Sequence, residues 1–161
     1  MKQVVTEYDF MVTRHIALLI GMVCLAFVVA CATADSTGDK IEIQTTWDGV
    51  YTQEQAQRGQ KLVEAHCSIC HGKNLFGSRA APAIAGSEML FIWDGRTLVE
   101  LLETMRTSMP PGQVGIVTDQ EFVDVIATML GSSGFPSREE GDLSALGTEL
   151  EHTVFKREKP E

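Results

Sequence analysis

The feature that most constrains this chain is five residues long. Cys67-Ser68-Ile69-Cys70-His71 is a C-x-x-C-H run, the spacing with which a polypeptide attaches a haem. On one helical turn, residues at i and i+3 face the same way. Cys67 and Cys70 can therefore both form thioethers to the two vinyl groups of one porphyrin. His71, next along, reaches the iron from the proximal side as a ligand held by two covalent bonds. Three other uses of paired cysteines stand beside this one. A thioredoxin-like redox pair wants a βαβ setting, and no strand signal precedes Cys67. A zinc site needs four ligands, usually from two separated pairs; the other His beyond the N-terminal apolar run are His66, on the same turn, and the distant His152. A structural disulfide is allowed outside the cytoplasm, although a C-x-x-C loop is short and strained.

The N-terminus supplies the compartment. Residues 16–30 carry no charge and follow Arg14 and His15, and Ala32-Thr33-Ala34 offers a small-x-small cleavage site. This reads as a secretory signal peptide over 1–34. Glu7 and Asp9 do not suit a positively charged leader, and Met11 makes a better start than Met1. Val28-Val29-Ala30-Cys31 also fits a lipobox, with Cys31 lipidated. Residues 16–34 are 19 residues long, close to the roughly 20 a membrane span needs, so an uncleaved anchor is a third reading. All three place the body of the chain outside the cytoplasm, in the periplasm. The signal or anchor is followed by a linker over 35–46.

The chain has 161 residues and a net charge of −9. Removing 1–34 takes Lys2, Arg14, Glu7 and Asp9, so the acidity belongs to the folded part. Without clustered Lys or Arg there is no phosphate-binding surface, which argues against nucleic acid as a partner. A basic partner surface would be favoured instead, in a salt-dependent way.

Helix signals recur three times in the body. Thr52 to Gln55, Thr97 to Glu100 and Thr118 to Glu121 each read as a capping box. Apolar stripes follow at helical spacing: Ala56, Gly59, Val63 and Cys67; Leu98, Leu101, Leu102 and Met105; Phe122, Val125, Ile126 and Met129. Gly131 offers a stop to the last helix. A short fourth helix is expected around 87–91. No segment alternates with period two, so the body is expected to be all-α. Long loops fill 72–86 and 108–117, and residues 137–161 form a charged tail in which a short helix docks and the last six residues fray.

A second iron ligand must come from a neutral donor. Met105 and Met129 lie on helix stripes and Met89 in the short helix, which suits packing. Met109 lies past a helix end, before Pro110-Pro111-Gly112, in a stiff loop with little entropy left to lose. It is the candidate sixth ligand to His71. Histidine–methionine ligation raises the haem potential and leaves no open iron position, which favours electron transfer. The free ring N–H of His71 needs an acceptor, and the carbonyl of Pro82 is the candidate. Trp93 and Phe76 suit the pocket wall, and Arg79 or Arg96 a propionate.

CSICHG at 67–72, APAIAG at 81–86 and RTSMPPG at 106–112 resemble the attachment motif, the His-orienting proline loop and the ligand-methionine loop of class I monohaem cytochromes c. Gly59 with Phe122 is similar to the crossing of that family's first and last helices. The resemblance implies a small all-α, cytochrome c-like domain over 47–136, with three to four helices wrapped around one covalently attached haem c. TWDGVYTQEQAQRGQ at 46–60 and FIWDGRTLVELL at 91–102 resemble, more narrowly, cytochrome domains and subunits found with quinoprotein dehydrogenases. That resemblance implies a periplasmic alcohol or sugar dehydrogenase using pyrroloquinoline quinone as electron donor. Another cytochrome or an oxidase of the respiratory chain would be the acceptor. On this reading the chain is an electron carrier and not an enzyme. The alternative is a haem enzyme or gas sensor in which Met109 is displaced by ligand.

Overall fold

The computed structural model describes residues 43–161; the leader and the linker before residue 43 lie outside them. The described chain opens on β1 (Gln44–Thr45) and a 3-10 turn at Thr46–Asp48. Helix α1 (Gln53–Leu62) starts where the Thr52 hydroxyl accepts the Gln55 amide at 3.1 Å. The expected box is only half formed. Gln55 is fully buried, and its side-chain amide donates to Asp124 Oδ1 at 3.0 Å and to the Leu143 carbonyl at 2.8 Å. Helix α1 runs on through a π-helical turn at Val63–Cys67 into α2 (Ser68–His71).

The short fourth helix is α3 (Gly86–Trp93), followed by α4 (Leu98–Ser108) and α5 (Asp119–Ser132). Both of the last two begin with complete capping boxes. The Glu100 and Glu121 carboxylates accept the Thr97 and Thr118 amides, each at 2.8 Å. These backbone hydrogen bonds hold both carboxyls below their usual range. Helix α5 does not stop at Gly131, which packs beside the Tyr51 hydroxyl. The turn comes at Gly134, with φ +87°, and the Phe135 amide reaches back to the Leu130 carbonyl at 3.1 Å.

The core is built on the crossing of α1 and α5. A Cβ at Gly59 would lie 1.8 Å from the Asp124 carbonyl oxygen, so the two backbones touch and only glycine fits. Residues Phe122 through Leu130 of α5 are all buried. Asp124 lies within that stretch and is paired with Arg58 at 3.1 Å.

The described unit extends past the expected 47–136 span at both ends. Two short strands exist where none was expected: β1 pairs in parallel with β2 (Thr153–Val154), ahead of which lies α6 (Glu149–His152). Leu143, Leu150 and Phe155 are at most 1% exposed. Burying side chains of this kind contributes roughly 1.5–3 kcal/mol each, so this segment belongs to the core. Nor is its end free at Lys156 and Arg157. Trp47 Nε1 donates to the Lys156 carbonyl at 2.8 Å, and the Arg157 amide donates to Asp94 at 2.9 Å. Among the described residues, no helix is long and apolar enough to cross a membrane.

Candidate cofactor site

Between α1, α4 and α5 lies a cavity of about 440 Å³. Cys67, Cys70 and His71 line it from the π turn and α2, and Met109, Pro110 and Pro111 line it from beyond α4. Helix α5 adds Phe122, Val125 and Met129, α4 adds Leu101 and Met105, and Trp93 comes from α3. Among the described residues, no Asp, Glu, Lys or Arg borders it, and its polar groups beyond the motif are His66, Thr104 and Gln113.

His71 is buried, and its Nδ1 lies 2.8 Å from the Pro82 carbonyl oxygen. A carbonyl has no proton to give, so Nδ1–H donates, and in the neutral imidazole the lone pair is then on Nε2. The loop that brings Pro82 there is built on backbone bonds. The Leu75 carbonyl accepts the amides of Ile84 at 2.8 Å and Ala85 at 3.1 Å, and the Gly77 amide donates to the His71 carbonyl at 3.0 Å. Leu75 is buried at φ +65°, in the left-handed region that few non-glycine residues occupy. Cys67 and Cys70 are free thiols, and burial pushes the Cys67 thiol up. Among the described residues, no three His, Cys, Asp or Glu side chains gather as a metal site.

Met109 is the C-cap of α4, in extended conformation at φ −121°, with its amide donating to the Met105 carbonyl at 2.8 Å. The peptide bond to Pro110 is cis. Met105 and Met129 are buried in the cavity wall, whereas Met89 is buried away from it. Trp93 lies at the wall, but Phe76 does not. It is 55% exposed and its ring covers Gly86. Neither Arg79 nor Arg96 lines the cavity. The Arg96 guanidinium stacks 4.1 Å from the Trp93 ring centroid and pairs with Glu100 at 3.5 Å. Thr104 and Gln113 have no signal in the sequence beyond proximity to Met109, and the roles of Leu75 and Gly77 depend on backbone angles.

Residues 54–127 match the family model described as cytochrome c oxidase, cbb3-type, subunit III. Over these residues the chain is similar to a cytochrome c domain. It is 28% identical over 116 residues to cytochrome c-551 of Bacillus subtilis (strain 168), a match that covers 70% of this chain and 90% of that protein. No solved structure matches the chain significantly. A cytochrome c domain implies a covalently bound haem c and single-electron transfer, and such proteins are not enzymes. The cavity fits that cofactor: an apolar space bordered by two free thiols, a histidine whose Nδ1 is engaged by Pro82, and a thioether. The family match ends within α5, so α6, β2 and the segment around them lie outside it.

Proposed function

We propose that this chain is a periplasmic monohaem electron carrier, with Cys67 and Cys70 holding the haem, His71 and Met109 ligating its iron, and Pro82 orienting His71. The observation that carries this reading is the meeting of both thiols, His71 and Met109 at one apolar cavity. Haem c supplies reversible one-electron chemistry when bound. The chain's own residues set its conditions. The Pro82 carbonyl strengthens His71 as a donor, the thioether of Met109 favours the reduced state and closes the iron to other ligands, and the apolar walls exclude water.

The electron donor is a quinoprotein alcohol or sugar dehydrogenase, and the acceptor another cytochrome or an oxidase of the respiratory chain. Support comes from the segments 46–60 and 91–102 and their resemblance to dehydrogenase-linked cytochromes. The net charge of −9 favours partners that present Lys and Arg, with association weakening as salt rises. Residues 1–34 direct export by a signal peptide, or hold the domain at the membrane through Cys31 or an uncleaved leader.

An optical spectrum of the exported protein tests the ligation. Sharp reduced haem c bands, a methionine-to-iron band when oxidised, and no change with carbon monoxide are expected. A missing methionine band or rapid carbon monoxide binding would remove Met109 from the iron and turn the reading to a gas-binding haem protein.

A further inference from the structure

We infer that the Gly77–Ser78 turn is a positioning element that sets the ring of His71 through the carbonyl of Pro82. The inference rests on the reading of His71 as an iron ligand. Gly77 has φ +83°. A Cβ there would lie 2.8 Å from the Ala83 amide nitrogen and 3.1 Å from the Pro82 carbonyl carbon. Both atoms are main chain, so no side-chain rotation could relieve the contact. A close-packed loop would have to shift, and the group displaced carries the acceptor of His71.

The other side of the turn is fastened to the motif. The Gly77 amide donates to the His71 carbonyl at 3.0 Å, and the Ser78 hydroxyl donates to the Cys70 carbonyl. The Ser78 amide closes on the Ala81 carbonyl at 2.9 Å, just before Pro82. The turn therefore spans from the backbone of the ligand to the backbone of its acceptor. The 2.8 Å separation of Nδ1 and the Pro82 oxygen depends on a main-chain gap that admits no methyl group. Because the ring hydrogen bond sets how strongly a ligating histidine donates, the gap at Gly77 tunes the iron without touching it.

The test compares three variants of the haem-loaded protein: Gly77→Ala, Ser78→Ala and Gly134→Ala. Gly134 has φ +87° with nothing within 4 Å of an added Cβ, so its variant carries the left-handed strain without the contact. The readouts are the exchange rate of the His71 Nδ1 proton by NMR and the midpoint potential. Gly77→Ala is expected to speed exchange about two- to tenfold, the range set by the net worth of one hydrogen bond. It should also raise the potential, because a weaker donor stabilises oxidised iron less. Ser78→Ala is expected to move both readouts the same way by less, and it carries the test alone where Gly77→Ala does not fold. Gly134→Ala is expected to move neither. Unchanged readouts in Ser78→Ala and in folded Gly77→Ala, or an equal change in Gly134→Ala, overturn the inference. Failure of the ligation reading looks different: the unsubstituted protein itself would lack the NMR signature of an iron-bound imidazole.

Discussion

Residues 72–86, which follow His71, and residues 109–117, which carry Met109, serve the same cavity and are held in different ways. The first segment is tied by main-chain hydrogen bonds at Gly72, Leu75, Gly77 and Ser78 and buries Leu75, Ala83 and Ala85. Its Gly77 has no room for a Cβ. The second segment makes fewer such bonds, Met109 to Met105 at 2.8 Å, Gln113 to Pro110 at 2.9 Å and Ile116 to Gln113 at 3.3 Å. It exposes Val114 and Ile116, and its Gly112 and Gly115 face open space. The histidine side is fixed by packing; the methionine side is fixed mainly by two prolines. The difference teaches where change is tolerated: a ligand held by a stiff loop that buries only Val117 at its far end can be altered while the rest of the site stands.

The largest expected effect tests that independence. Met109→Ala should leave haem attached and His71 in place while the midpoint potential falls and carbon monoxide binds the reduced protein, as redox titration and optical spectra would record. Loss of the attached haem in this variant would break the comparison, because the two sides would then stand or fall together. A paired stability measurement sharpens it. Leu75→Ala, at a site 1% exposed, should cost about 2–5 kcal/mol in denaturant unfolding. Val114→Ala, at a site 52% exposed, should stay within about 0.5 kcal/mol.

The smallest effect is with pH. Glu100 and Glu121 cap the helices on either side of the methionine loop, and both carboxyls are lowered by backbone amides. A carboxyl lower in the folded state than in the unfolded state stabilises above the usual carboxylate range. That contribution is lost as pH falls through the lowered value. Residues 72–86 contain no carboxylate. On acidification the methionine-to-iron band should therefore weaken before the histidine signature does, and the reverse order in an acid titration would refute the asymmetry.

Much of this was legible in the sequence where the signal is local. The capping boxes at 97–100 and 118–121 formed as read because every partner lies within four residues. The box at 52–55 formed by half, since Gln55 is claimed by Asp124 and Leu143, far away in sequence. Gly131 read as a stop but serves packing against Tyr51. The tail read as charged, with a docked short helix and a frayed end; that Leu143, Leu150 and Phe155 are buried rests on partners far away in sequence, such as Gln55 for Leu143 and Trp93 for Phe155. At the site, Cys67, Cys70 and His71 have a motif, and Met109 and Pro82 have proline-marked loops. Gly77 and Leu75 act through backbone angles that no residue pattern displays, and Phe76, aromatic and close in sequence, faces outward.

The contact at Gly59 has a consequence for how such a protein can diverge. Helix α1 leads into the cysteines and α5 supplies Phe122, Val125 and Met129 to the cavity wall, so their separation is a dimension of the cofactor's bed. That dimension is gauged by main chain against main chain, which is the same in every protein. Side chains elsewhere on both helices are free to drift without resizing the bed. A relative only 28% identical can then keep the same spacing, provided one position goes on lacking a side chain.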